Sequence, residues 1–358
     1  MQIITGTITT VSPVHIGNGR TRGTFSQTLP YIPGRTIRGM VGWYLYQFNR
    51  SLFDACGLSE DHDSSKMKVF FRYAYPFADG KRAICAPLIL HWCKGCQSLI
   101  PPDTRECQQV HEGALCLQEG RKHTGLISYR SFTEKRLIFP DSVPLRIETK
   151  CPITRDGHTS MGKDWELSPY HIQSIEPGVS FGFSYLADES VADGITACLQ
   201  EASYACGLGG FRSRGYGLVD FSLNAPISVD DMIQNRAQEL SGMDSFLLVL
   251  NAPCILRSEN ESYLGFDRHF FTAVNERLSV AGYTGDISPA DGSSAMNRTL
   301  VRGWSLKNGN MVDEIIPAMG PGSCTYVSGS PVSLAALEVL GAGDLLSMGC
   351  GEMYIGGI

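Results

Sequence analysis

The chain has 358 residues, 43% hydrophobic and 18% charged, with a formal net charge of −6. That composition excludes a disordered or fibrous chain, and no run of about 18 apolar residues proposes a transmembrane helix. At this length, two domains of roughly 100–200 residues are the expectation. The charge is divided unevenly. Residues 225–358 hold 7 Lys+Arg against 15 Asp+Glu, or −8, which leaves 23 against 21, or +2, for residues 1–224. From Met1 to Phe53 there are five arginines (Arg20, Arg22, Arg35, Arg38, Arg50) and no acid. An anionic partner held by the first half fits this asymmetry, and so do ordinary surface charges. The N-terminal MQIITGTITT has no basic region and no apolar core of a leader. Cytoplasmic residence and reduced cysteines are therefore expected, with no membrane partner.

In chain order, residues 2–12 alternate as a strand. A Gly/Arg-rich loop follows, and then Tyr31–Gln47, YIPGRTIRGMVGWYLYQ. Ile37, Val41, Tyr44, Leu45 and Phe48 recur at helical spacing and predict a buried stripe, with Thr36 as N-cap after Pro33-Gly34. Arg35 and Arg38 fall in the first turn, where acids are usually preferred, and a bound phosphate at the helix N-terminus would resolve that conflict. Residues 67–77 and 82–92 predict strands leading into a Cys-rich insertion, 93–116. A basic segment follows at 121–150. A strand at 178–188, a helix at 193–209 ending in glycine, and a strand at 215–223 complete the first half. After a break near 224–243 the order restarts: a strand at 245–258, a hairpin turning at Asn308-Gly309, a short helix and a second glycine-rich end. The repeated pattern predicts an α+β chain of two tandem ferredoxin-like (RRM-like) units, 1–224 and 243–358.

Three segments carry candidate chemistry. The loop GLGGFRSRGYG (207–217) follows a helix and precedes a strand, the reverse of a dinucleotide fingerprint. Its five glycines expose backbone N–H groups, and Arg212 and Arg214 supply charge, which suits a phosphate backbone. A structural loop would account for two of those glycines. In the insertion, Cys93, Cys96, Cys107 and Cys116 supply four ligands for a tetrahedral zinc ion, with His111 competing for one place. Four ligands leave no open position, so the metal's role is structural. In the basic segment, Arg121, Lys122, Arg130, Lys135 and Arg136 alternate with His123, Tyr129 and Phe132, a pattern suited to single-stranded nucleic acid or to a solvated hairpin. His15, near Gly17 and Gly19, could act as an acid–base toward a ribose hydroxyl, although a lone histidine is more often structural. No hydrolase triad, P-loop or HExxH motif is present.

YIPGRTIRG after SPVHIGNG, with GLGGFRSRGYG and a weaker glycine loop GAGDLLSMGCG, resembles the RAMP superfamily, the RNA-binding subunits of class 1 CRISPR effectors. Within it, VFFRYAYPF, APLILHWCKGC, HTGLISYR and VRGWSLKNGN are most similar to the five-group (Csx-ten-like) subunit of type III-D or derived complexes. The resemblance implies a non-catalytic subunit that grips the 5′ handle of the CRISPR RNA. It would cap a filament of RAMP backbone subunits, contact a large subunit where one exists, and meet target RNA or DNA through the guide. On that reading Arg20, Arg22, Arg35, Arg38, Lys122, His123, Tyr129, Arg130, Gly209, Gly210, Phe211, Arg212, Arg214 and Gly215 bind RNA. The second loop has no arginine and its half is acidic, so that half is expected to contact protein. Rival readings are a RAMP endoribonuclease using His15 or His123, a backbone subunit cutting target RNA with Asp63, and a zinc-stabilised scaffold without RNA.

Overall fold

The computed structural model describes residues 1–22, 24–58, 66–100, 106–111, 114–151, 169–258, 261–301, 304–305, 311–312 and 315–357. Asp63 and the Asn308-Gly309 turn lie outside them. The flanks of that turn pair as expected, Trp304 opposite Val312.

The first sheet is antiparallel. Strand β1 (Gln2–Thr10) lies between Val219–Leu223 and Ser180–Ala187, with Ile8 opposite both Phe221 and Phe181. Val69–Phe71 and Tyr75–Ala78 pair with the outer side of Ser180–Ala187. This 4-1-3-2 order is that of a ferredoxin-like unit. Helices α1 (Gly34–Phe48) and Glu189–Cys206 cover one face, and Ile4, Ile8, Val41, Leu45, Ile195 and Leu199 form the core between them. In α1 the buried stripe is Ile37, Met40, Val41 and Leu45. Phe48 is not part of it: at the last turn it is 68% exposed and lies against the Tyr44 ring of its own helix. The helix starts at Gly34 with Pro33 as N-cap, not at Thr36, because proline's fixed φ already suits a helix entrance.

The second sheet repeats the order with Met353–Gly357, Phe246–Leu250, Cys324–Ser328 and Ser288–Pro289. Helices Arg268–Val280 and Pro331–Leu340 cover one face. The interval near 224–243 is structured: Ile227–Ser228 pairs with β1, and the helix Val229–Leu240 packs on Pro331–Leu340. The unbroken apolar run of Phe246–Leu250 reflects a sheet buried on both faces. Leu248 and Leu250 face the helices, whereas Leu247 and Val249 meet Leu90, Trp92 and Phe132, which flank the insertion of the first half. The segment read as one strand over 82–92 is broken into Ile84–Cys85 and His91–Cys93, with Pro87 denying the intervening ladder an N–H. No helix of the described residues is long and apolar enough to cross a membrane.

Candidate nucleic-acid interface and metal centre

The first glycine loop closes the helix Glu189–Cys206, Gly207 N–H donating to Ser203 O at 2.9 Å. Gly207, Gly209, Gly215 and Gly217 all have positive φ. A Cβ on Gly209 would lie 2.3 Å from His15 O, and one on Gly217 would lie 2.5 Å from Leu208 O. Backbone geometry thus accounts for four of the five glycines, not two, and the glycine count is no evidence of a ligand. What the loop presents outward is charge: Arg212 and Arg214 are exposed on one turn of 3-10 helix. Arg214 lies 5.5 Å from the centre of the Tyr170 ring and 5.6 Å from that of Phe211, a cation between two aromatic faces.

The second glycine loop has the same construction. Gly341, Gly343, Gly349 and Gly351 have positive φ, and Leu345 matches Phe211 at φ 56°. Gly210 N–H donates to His15 O as Asp344 N–H does to Ile255 O, both at 2.8 Å. Gly217 donates to Pro13 O as Gly351 does to Pro253 O. The residues on the turn differ: Arg-Ser-Arg is replaced by Leu-Ser-Met, with Leu346 and Ser347 buried. This loop is internal. A Cβ on Gly34, at the entrance of α1, would lie 2.2 Å from Phe71 O and 2.9 Å from Met348 O. The entrance of α1 is therefore packed against protein at Gly34, and the half-exposed Arg35 and Arg38 lie in the turn just beyond it.

His15 is 4% exposed. Nδ1–H donates to Gln173 O at 2.7 Å, and Nε2 accepts from the Ser26 hydroxyl at 3.2 Å. Burial lowers its pKa, so it is held neutral. Both partners belong to a four-stranded side sheet, Leu145–Lys150, Tyr170–Ile175, Phe25–Thr28 and Gly17–Arg22, against which the first glycine loop lies. Arg20 and Arg22 sit on its last strand, their side chains outside the described structure. On the face toward the loop, Glu148 accepts from Tyr216 Oη at 2.7 Å, pairs with Lys150 Nζ at 2.5 Å, and binds Arg146. The Lys150 and then Tyr216 hydrogen bonds hold the Glu148 carboxyl below the usual range. The sequence reading placed Arg146 and Lys150 in the basic segment without singling them out; the alternation Arg-Ile-Glu-Thr-Lys, one charge at every second residue, was the signal.

The cysteine cluster sits at the end of a ribbon in which His91–Cys93 pairs with Leu99–Ile100 and Gly120–Lys122. The Sγ atoms of Cys93, Cys96, Cys107 and Cys116 lie within 4.8 Å of one another, Cys93 to Cys116 at 3.6 Å and Cys96 to Cys107 at 3.5 Å. Thiolates about 2.3 Å from a tetrahedral zinc ion lie about 3.8 Å apart, so the spacing fits. Gly95 N–H points at Cys93 Sγ from 3.3 Å, stabilising a thiolate. Burial above all pushes the Cys107 thiol up to about 12, so assembling thiolates here requires a cation. The cluster can hold a metal ion. The side chain of His111 lies outside the described residues.

A family model described as the RAMP superfamily matches residues 7–220, well over half of the chain. This chain belongs to the RAMP superfamily. The matched span of this RAMP protein includes the first glycine loop and stops before the second. No curated protein matches it by sequence. Among solved structures, a chain of the type III-B Cmr-beta bound to cognate target RNA, seen by cryo-EM, is 20% identical with a TM-score of 0.34, covering 63% of this chain and 60% of that one. A chain of the same assembly bound to cognate target RNA and AMPPnP is 13% identical at TM-score 0.42, covering 91% and 86%. An RAMP protein binding different RNA substrates is 10% identical at TM-score 0.41, covering 99% of each.

The remaining candidates of this RAMP protein are scattered. Arg121 and Lys122 are exposed on the ribbon. His123 is half-buried, edge-on to Phe139 at 5.3 Å, and burial lowers its pKa. Arg130 is exposed and pairs with Asp79 and Glu134. Tyr129 turns inward: its hydroxyl donates to Ile355 O and accepts from Arg236, and its ring packs against Phe132 and Tyr354. In the basic segment, then, Tyr129 and Phe132 belong to the core and only the cations face outward.

Proposed function

We propose that this chain is a non-catalytic RNA-binding subunit of a class 1, type III-like CRISPR effector of the cytoplasm, most similar to the five-group subunit of type III-D complexes. It holds the 5′ handle of the CRISPR RNA and caps a filament of RAMP subunits, meeting target RNA or DNA through the guide. One observation carries the reading. Two loops share one backbone, but only the first presents its turn, with Arg212, Arg214 and Phe211, to solvent beside the strand of Arg20 and Arg22. Gly209 and Gly210 anchor that loop on His15, and Gly215 has open space around it for a nucleotide backbone. Such contacts read phosphate and stacking, not base sequence. Arg35 and Arg38 would add charge at α1, and Lys122, His123 and Arg130 would meet flanking RNA or the next subunit; Tyr129, turned inward, is not among these contacts. Cys93, Cys96, Cys107 and Cys116 would hold a zinc ion, which supplies cross-linking of the ribbon and no chemistry.

The burial of His15 supports the non-catalytic reading: the ring is 4% exposed and covered by Phe211 at 4.9 Å, so a ribose hydroxyl has no open path to Nε2. The test incubates purified protein with labelled CRISPR repeat RNA. Salt-dependent binding without cleavage is expected, weakened about tenfold or more in Arg212→Ala/Arg214→Ala with the melting temperature unchanged. Cleavage lost in His15→Ala or His123→Ala would overturn the non-catalytic reading, and no binding with partner subunits present would favour the scaffold.

A further inference from the structure

The carboxylate of Glu148 stands among groups that a phosphate would also choose. It is 16% exposed and lies between Arg146 and Lys150, on the same face of one strand, with Tyr216 Oη of the glycine loop donating to it at 2.7 Å. The two cations are themselves about 40% exposed, 41% for Arg146 and 39% for Lys150. Arg214 and Tyr170, adjoining on the same loop and sheet, supply a stacked cation and an aromatic ring. A guanidinium, an ammonium and a phenol converging on one oxygen pair form a built anion site, filled here by the chain's own acid.

We infer that Glu148 is a resident stand-in for a phosphate, and that Arg146 and Lys150 form a phosphate subsite beside the first glycine loop that RNA opens by displacing it. This deepens, and rests on, the RNA-binding reading. Its consequence is selectivity. Each polyanion must break the Glu148 contacts before gaining those of Arg146 and Lys150, so a strand held by charge alone gains little. An RNA that also occupies Arg214 and the rings of Tyr170 and Phe211 recovers the difference. Glu148 is thus a specificity-determining residue that need not touch the bound RNA.

The test measures binding of repeat RNA and of oligouridylate of equal length, by fluorescence anisotropy across a salt series, for the wild type and Glu148→Gln. Removing one negative charge at phosphate distance is expected to tighten oligouridylate about fivefold. It should also steepen the slope of log K against log salt by about 0.7 for each phosphate newly engaged. Repeat RNA gains less, so the preference for it shrinks. If Glu148→Gln weakens both RNAs equally at unchanged slope, or changes neither, Glu148 is a structural tie and the inference fails. Should Glu148→Gln melt early, Arg146→Gln and Lys150→Gln each decide instead: a shallower slope for repeat RNA supports the subsite, and an unchanged one overturns it. Wild-type protein that binds neither RNA overturns the RNA-binding reading itself, and the inference with it.

Discussion

At His15 one residue shows how position settles chemistry. Its carbonyl anchors Gly210, its ring bridges Gln173 and Ser26, and the Phe211 ring lies 4.9 Å away. Because burial lowers its pKa, the folded chain stays unprotonated through the range where the unfolded chain, near 6.5, takes up a proton. The stability this contributes is complete above that value and is lost as pH falls through it. Thermal unfolding followed from about pH 7.5 to about pH 5.5 should show a falling midpoint, with a smaller fall in His15→Gln. His123 contributes in the same direction, so the fall should shrink, not vanish. An equal fall in both proteins would contradict the assignment. The residue types around the site were legible in the sequence; their partners were not. Nothing local says that Tyr129 faces inward toward Arg236 or that Gly209 leans on His15, since both contacts join distant segments.

Among elements, the cysteine ribbon was the most legible, because four ligands with knuckle spacing and polar filler leave few alternatives. The closeness of its four sulfurs matches that reading. Its strands are two or three residues long and cover little apolar surface beyond Trp92 and Ile100, so a bound ion is expected to supply much of its stability. Native protein should carry about one zinc per chain, and Cys116→Ser should lose it together with the ribbon's resistance to proteolysis. A metal content near zero, with the ribbon still protected, would contradict this. Helix α1 was legible by its period, yet Phe48 shows where periodicity stops: a pattern cannot say which of its members the fold covers. The glycine loops misled in the other direction. Glycines that looked like accommodation for a ligand are demanded by positive φ and by carbonyls of the same chain.

In the whole molecule, the two units share their packing. The stretches 84–92 and 127–137 of the first half cover the second sheet, and a polar seam runs between the units. Arg236 Nε lies 3.1 Å from both Glu338 oxygens, and its Nη2 donates to Tyr129 Oη at 2.8 Å and Ile355 O at 2.7 Å. Glu338 also accepts from Ile355 N–H, and Arg82 reaches Glu352 across the seam. Arg236→Met should cost about 2–4 kcal/mol, because it strands a largely buried carboxylate, and Arg236→Met/Glu338→Gln should recover part of that. Additive losses in denaturant unfolding would contradict a coupled seam. The tandem order was visible in the sequence as repeated strand, helix and glycine loop. The missing arginine already marked the second loop as a protein contact; what was not visible is that the protein it meets is the chain's own first unit, at Gly34 and Phe71.

That division of labour is tested most directly by ultraviolet cross-linking of the purified chain to CRISPR repeat RNA, with adducts mapped by mass spectrometry. Adducts concentrated on 207–217 and at Tyr170, and absent from 341–351, are the predicted result. Adducts on the second loop, or none on the first under conditions where RNA binds, would contradict it.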